Sequence, residues 1–97
     1  MPRRRRRAPE GSLGEFIRER REELGMTQRE FGAELGYAYG NFIGMLETGQ
    51  SRFPIDKWQR YAEVLEVPRE EFLRRVFEDN EDLRTMLPYL EFKSRGR

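Results

Sequence analysis

The sequence predicts an all-α fold for one small domain, on three observations. Serine, threonine and proline residues that suit helix starts precede apolar residues spaced three and four apart. Glycines that suit helix ends follow these segments. No pair of alternating apolar and polar runs predicts two strands joined by a turn. A chain of 97 residues has room for a single domain with a modest core.

The first predicted helix begins at Ser12. Residues 1–11 before it contain too little apolar surface to offset the entropy of ordering, and are predicted to form a disordered arm rich in arginine. Ser12 and Glu15 have the S-x-x-E spacing of a capping box, and Gly25 suits the end of the helix. Its apolar stripe contains Leu13, Phe16, Ile17 and Leu24. The charged residues among them predict a solvated face: Arg18, Glu19, Arg20, Arg21, Glu22 and Glu23.

The second predicted helix spans residues 27–35 and ends at Gly36. Thr27 and Glu30 form another capping box, and Phe31 and Leu35 lie one turn apart on the buried side. Gly32 in the middle of the helix costs about 1 kcal/mol relative to alanine. Its presence therefore predicts that another backbone comes close to the helix at this point.

A short third helix is predicted over residues 40–47, closed by Gly49, and a fourth over residues 54–66 with Pro54 in its first turn. Pro68 predicts the first position of a fifth helix, and Asn80 the N-cap of a sixth segment. The predicted core side chains of these helices are Ile43, Leu46, Ile55, Trp58, Tyr61, Ala62, Leu65, Phe72, Leu73, Val76 and Phe77. The second and third helices, joined by a turn that begins with glycine, have the layout of a helix-turn-helix.

The net charge of +1 hides an uneven distribution of charge along the chain. Without the five arginines of residues 3–7, 14 basic residues stand against 18 acidic ones, a net charge of −4. A basic arm on an acidic body predicts an anionic partner for the arm. A solvated tail or a targeting signal is the alternative interpretation of the same run.

Cysteine and histidine are both absent from the sequence. This excludes disulfides, zinc sites built on cysteine or histidine, and catalytic triads that use either residue. The four carboxylates Glu78, Asp79, Glu81 and Asp82 lack the spacing of a calcium loop and are predicted to form a charged helix start. No run approaches the roughly 20 apolar residues of a membrane span. We therefore expect a cytoplasmic protein with no catalytic activity, no metal and no cofactor.

Several motifs occur together within residues 13–73. They are R-x-x-R-E-E-L-G-M-T-Q-x-E-F at residues 18–31, L-G at 35–36, M-L-E-x-G at 45–49, and a downstream P-I-D-K and A-E-V-L-E-V-P. In this combination the chain resembles the Cro/phage-repressor-type (XRE-like) helix-turn-helix DNA-binding proteins. The resemblance implies a compact five-helix, lambda-repressor-like bundle at residues 12–73, with a C-terminal helical extension at 74–92 and a tail at 93–97. It also implies that the third helix enters the major groove of double-stranded DNA.

The resemblance also implies site residues, although the stretch from Gly36 to Glu47 is one residue longer than in many family members. Gln28 binds a phosphate or braces the recognition helix, unless it is a plain surface residue, and Glu47 is structural. Asn41 is the best base-reading side chain, since its amide can be bidentate to adenine. Tyrosine hydroxyls and residues after Gly49 contact the DNA backbone. Together with the chemistry of the two tyrosines and the charge of the arm, the resemblance gives the candidate DNA-binding residues Gln28, Tyr37, Tyr39, Gly40, Asn41, Phe42, Gly44, Met45, Gln50, Ser51, Arg52 and Lys57, with Arg3, Arg4, Arg5, Arg6 and Arg7 of the arm.

The C-terminal extension carries too much apolar surface for a loose tail. It either packs on its own domain or, as we favour, forms the interface of a homodimer that binds an inverted repeat. The candidate dimerisation residues are Val76, Phe77, Leu83, Met86, Leu87, Tyr89 and Leu90.

The leading hypothesis is a sequence-specific transcriptional regulator, a repressor associated with the nucleoid. The alternative is an antitoxin-like interaction module, in which the C-terminal segment binds a toxin or another protein.

Overall fold

A computed structural model describes residues 11–79 of the chain. Within that range it contains five α-helices and no strand, which confirms the all-α prediction. Residues 1–10 and 80–97, with nearly all of the predicted arm, the predicted sixth helix and the tail, lie outside the described residues. In chain order the elements are α1 (Leu13–Glu23), α2 (Gln28–Glu34), α3 (Asn41–Thr48), a single 3-10 turn (Ile55–Lys57), α4 (Trp58–Leu65) and α5 (Arg69–Asp79).

Helix α1 begins with a variant of the predicted capping box. The hydroxyl of Ser12 accepts a hydrogen bond from the Glu15 backbone N–H at 3.2 Å, as expected. The Glu15 carboxylate accepts from the backbone N–H of Gly11 at 2.7 Å, one residue before the position that the motif predicts. Gly11, with φ of 82°, therefore belongs to the cap of α1 and not to the arm, which corrects the predicted boundary at residue 11.

Helix α2 has both halves of its predicted capping box. Thr27 Oγ1 accepts from Glu30 N–H at 3.0 Å, and Thr27 N–H donates to the Glu30 carboxylate at 2.9 Å. The helix ends at Gly36, whose φ of 90° suits glycine. There the backbone N–H of Tyr37 donates to the Gly32 carbonyl at 2.8 Å, the long bond of a Schellman motif. This closure turns the chain toward α3.

Two glycines allow helices to pack backbone against backbone. A Cβ added at Gly32 would lie 3.3 Å from the carbonyl oxygen of Tyr39, which confirms the predicted close approach at α2. A Cβ added at Gly14 would lie 2.5 Å from the carbonyl oxygen of Glu47, so α1 crosses the end of α3 at closer range than any side chain permits. Helix α3 is thus held between α1 and α2.

The fourth helix begins later than its sequence predicts. Pro54 is extended, with ψ of 94°, and a 3-10 turn separates it from α4, which starts at Trp58. Ile55 in that turn is 39% exposed, so its prediction as a core residue is wrong. Trp58 packs partly buried against the core, as predicted. Pro68 lies just before α5, where its carbonyl accepts from Phe72 N–H at 3.0 Å, one position earlier than predicted.

Aromatic side chains form the centre of the core. Tyr61 contacts Phe31 and Phe53 edge-on, with ring centroids 5.7 and 4.8 Å apart, and Phe53 also contacts Phe72. Helix α5 extends the domain beyond the predicted boundary at residue 73, because Val76 is 2% exposed in this core. The prediction of Val76 as a dimerisation residue is thereby corrected, since its side chain is already buried within the domain.

Candidate nucleic-acid interface

A buried ion pair fixes helix α3 to helix α1. Arg21 Nε donates to Glu47 Oε2 at 2.6 Å and Arg21 Nη2 to Glu47 Oε1 at 3.1 Å, a bidentate arrangement. Arg21 is 7% exposed and Glu47 2%. A third Arg21 nitrogen donates to the carbonyl of Met26 at 2.8 Å, just before α2. One guanidinium therefore ties the start of the helix-turn-helix to the end of α3, and confirms the structural role expected for Glu47.

The prediction that Arg21 lies on a solvated face is wrong. The other arginines of that group do pair locally on the surface, Arg18 with Glu22 at 3.2 Å and Arg20 with Glu23 at 3.0 Å. Arg21 differs because it follows Ile17 by four residues and so lies on the buried stripe of α1. That spacing is the signal in the sequence that could have identified it.

Gln28 completes this network from α2. Its Nε2 donates to Glu47 Oε1 at 3.1 Å, and its side chain covers Gly44, where an added Cβ would lie 3.3 Å from Gln28 Oε1. Of the roles that the resemblance implies for Gln28, the structure shows the brace on α3. Glu47 therefore accepts hydrogen bonds from both neighbouring helices.

Gly40 and Gly44 lie on the side of α3 that faces α2. A Cβ at Gly40 would lie 2.8 Å from the backbone nitrogen of Arg29, and one at Gly44 would meet Gln28. That side of each residue is occupied by α2, and the expected contact of these two half-buried glycines with DNA stays a prediction. Their chemistry is that of close packing between the two helices.

The outward face of α3 consists of Asn41, Met45 and Thr48. At 100° per residue these positions share one side of the helix, opposite the buried Ile43 and Leu46. Asn41 is exposed, and its amide has no hydrogen bond to any residue in the described part of the chain. Met45 is half-buried. Asn41 and Met45 are thus the two predicted site residues that α3 presents together.

Two predicted DNA contacts, Tyr37 and Phe42, face the protein. Their rings lie 5.0 Å apart, and the hydroxyl of Tyr37 is 3.0 Å from that of Tyr61. Burial raises the pKa of Tyr61 well above its ordinary value, and the hydrogen bond with Tyr37 acts in the same direction. The Tyr37 hydroxyl therefore has a partner inside the domain, and its expected contact with a phosphate stays a prediction. Tyr39, by contrast, is 73% exposed.

Three cations that pair with no carboxylate within residues 11–79 lie in the segments before and after α3. Arg29 is exposed in the first turn of α2, and Gly40 contacts its backbone. Arg52 is exposed after α3, and the ammonium of Lys57 lies 5.3 Å from the ring of Tyr37. Within residues 11–79, Arg69 at the start of α5 is the only other exposed basic residue that forms no ion pair. The site predicted from the sequence includes Arg52 and Lys57 but misses Arg29. A cation in the first turn of a helix is unfavourable for the helix dipole, so its position there was a signal of a role outside helix stability.

The turn after α3 is held by the backbone. Gly49 has φ of 85°, and the N–H groups of Gln50 and Ser51 donate to the carbonyl of Met45 at 2.8 and 3.2 Å. Gln50 is exposed beside Thr48, to whose hydroxyl it donates at 3.0 Å. Arg52 follows directly, so the predicted residues after Gly49 do lie together at the end of α3. Arg3, Arg4, Arg5, Arg6, Arg7, Leu83, Met86, Leu87, Tyr89 and Leu90 lie outside the described residues.

The described acidic residues at the end of α5 have a structural use. The carboxylate of Asp79 accepts from the backbone N–H of Leu13 at 2.9 Å and so caps α1, although the two residues are 66 positions apart in the chain. Asp79 is therefore the last residue of α5, whereas the sequence predicts it as part of a helix start. Across residues 11–79 there is no group of three metal-ligating side chains. Over the same range, no helix has the length and apolar character needed to cross a membrane.

Comparison with known families agrees with this geometry. No curated protein matches the chain. A family model described as a helix-turn-helix domain matches residues 12–74, which include all of α1 to α4 and the first half of α5. Families of this kind are typically non-enzymatic, and the domain suggests DNA as its partner. The chain therefore belongs to the helix-turn-helix domain family, in agreement with its resemblance to XRE-like proteins.

Proposed function

We propose that the protein is a sequence-specific transcriptional regulator that represses by inserting α3 into the major groove of double-stranded DNA. It acts in the cytoplasm at the nucleoid, as a homodimer on an inverted repeat, and performs no catalysis. One observation carries the proposal: α3 presents Asn41 and Met45 on one side, and the exposed Arg29, Arg52 and Lys57 of the flanking segments form no ion pair with any residue from 11 to 79.

The electrostatics of this face differ from those of the rest of the domain. Residues 11–79 contain 10 basic and 14 acidic residues, a net charge of −4. Yet the only acidic residue from 35 to 55 is Glu47, whose charge is buried against Arg21. On this stretch a duplex meets Arg52 and no exposed carboxylate, while Arg29 and Lys57 lie just outside it, each next to an exposed acidic residue, Glu30 and Asp56. Such a field favours association with phosphates and repels them elsewhere.

Mechanical support for recognition comes from the network beneath the face. Base contacts discriminate only if the reading helix holds a fixed position relative to the phosphate contacts. Glu47 accepts from Arg21 of α1 and Gln28 of α2, so α3 is tied to both helices on its inner side. Arg29 follows Gln28 directly, and its backbone touches Gly40 at the start of α3. The reading side chain Asn41 and the phosphate-binding cation Arg29 are thus positioned by the same contact.

Selection of bound duplexes from a random pool, followed by substitution of Asn41, tests the function. Enrichment of a palindromic sequence supports a dimeric regulator, whereas an interaction module enriches none. Asn41→Ala should then weaken binding to the selected duplex by about 1–3 kcal/mol and leave binding to a random duplex unchanged. Gln59→Ala, which removes an exposed amide from α4, is the matched control and should change neither. Equal losses on both duplexes would contradict the assignment of α3 as the reading helix.

A further inference from the structure

The outward face of α3 offers very few polar groups to a base. Thr48 does not add one, because its hydroxyl donates back to the carbonyls of Gly44 and Met45 at 3.1 and 3.3 Å. The same hydroxyl accepts from the amide of Gln50 at 3.0 Å. What remains is the free amide of Asn41, the thioether side chain of Met45 and the methyl group of Thr48.

This set of groups is poorly suited to guanine. Guanine is read chiefly by arginine or lysine, which donate to its O6 and N7 acceptors. Helix α3 carries neither residue over its eight positions. The nearest exposed cations, Arg29 and Arg52, lie before and after the helix, where the phosphates of the groove edges are expected.

The same set is well suited to an A·T base pair. An asparagine amide can donate to N7 and accept from the N6 amino group of adenine, and an apolar side chain can contact the C5 methyl group of thymine. Met45 remains half-buried and does not pack against the core cluster, so contact with a methyl group would bury new apolar surface. Asn41 and Met45 lie one turn apart, about 6 Å along the axis, which allows contacts to neighbouring base pairs.

We propose that α3 recognises A·T base pairs at the centre of each half-site, adenine through Asn41 and the thymine methyl group through Met45. This inference rests on the proposed insertion of α3 into the major groove. It names the bases that the helix selects and assigns the discrimination to a methyl contact as much as to a hydrogen bond.

Uracil substitution in the selected duplex tests the methyl contact, since it removes only the C5 methyl group of thymine. Replacing the protected thymine under α3 in one half-site should weaken binding of the unaltered protein about fourfold, the loss expected for one buried methyl group. Met45→Ala should bind the thymine duplex more weakly but show no further loss with uracil. Gln59→Ala is the control variant and should retain the fourfold difference, and uracil outside the protected positions should have no effect.

Adenine is tested in the same way with 7-deazaadenine, which lacks the N7 acceptor. It should weaken binding at least fivefold for the unaltered protein and leave Asn41→Ala unchanged. A selected half-site with G·C pairs under α3, or unchanged affinity for both modified duplexes, would overturn the inference while leaving a sequence-specific regulator in place. Failure to enrich any duplex would overturn the proposed function together with the inference.

Discussion

Replacing Glu47 by glutamine changes one charge at the best-buried ion pair between described residues. The side chains of Glu47 and Arg21 are 1% and 8% exposed, and they share two hydrogen bonds at 2.6 and 3.1 Å. Glutamine keeps the size of the side chain but leaves the buried arginine with only the exposed carboxylate of Glu22, 3.8 Å from Arg21 Nη2. Breaking a pair of this kind by removing one partner costs about 3–5 kcal/mol. We expect Glu47→Gln to lower the free energy of unfolding by about 3 kcal/mol, a large share of the roughly 5–15 kcal/mol of a small domain.

A double-mutant cycle separates this charge effect from a loss of packing. Urea unfolding followed by far-ultraviolet circular dichroism gives the free energies for Glu47→Leu, for Arg21→Met and for the two changes together. The double variant should be more stable than the sum of the single losses predicts, by at least about 2 kcal/mol, because it leaves no unpaired charge behind. Arg18→Met, which breaks an exposed pair with Glu22, should cost no more than about 0.5 kcal/mol. Additive losses, or single losses below about 1 kcal/mol, would refute the assignment of Arg21 and Glu47 as a buried, coupled pair.

Four other predictions address stability, the arm and assembly. Glu66→Gly should raise the free energy of unfolding by about 1 kcal/mol and the melting temperature by several degrees, because Glu66 is exposed with φ of 57°. The control Glu63→Gly, inside α4, should lower both quantities. A loss of stability in both variants would contradict the prediction. Unfolding free energy should hold up to about pH 10 and fall above it, since the unfolded chain ionises Tyr61 while burial raises its pKa in the folded domain. Tyr61→Phe should reduce this loss of stability, measured from urea midpoints between about pH 9 and pH 11. The same loss in the variant would show that another group than Tyr61 causes it. Deleting residues 1–8 should weaken DNA binding and reduce the slope of log affinity against log salt, whereas an unchanged slope would make the arm a bystander. Sedimentation should show a dimer for the full chain and a monomer for residues 1–79. The truncation is placed after Asp79 because Val76 belongs to the core of the domain. Monomers in both samples would contradict C-terminal dimerisation.

The elements that sequence predicted well depend on neighbours along the chain. The capping box of Thr27 and Glu30 spans four residues, and the closure of α2 at Gly36 spans six, so both follow from local chemistry. The close approach at Gly32 was also predictable, since a glycine inside a helix requires a reason.

The contacts that the sequence did not predict belong to residues whose environment is set by distant parts of the chain. Arg21 is buried only because Glu47, 26 residues away, meets it across the domain. Tyr37 turns its hydroxyl inward because Tyr61 of α4 lies 3.0 Å away. Gly44 faces Gln28 because of the angle at which α3 crosses α2, which no spacing along the chain specifies. The sequence therefore predicts the segment in which the candidate site is proposed, but not the direction in which each of its side chains points.

The hydrogen bond between Leu13 and Asp79 places the two ends of the described domain side by side. A domain whose chain enters and leaves at one point can be inserted into a loop of another protein without separating the host's flanking residues. A short linker across the same gap would also close residues 11–79 into a ring, leaving new termini to be opened at any exposed turn away from α3. The helix-turn-helix is thus suited by its own geometry to serve as a portable unit in an engineered fusion.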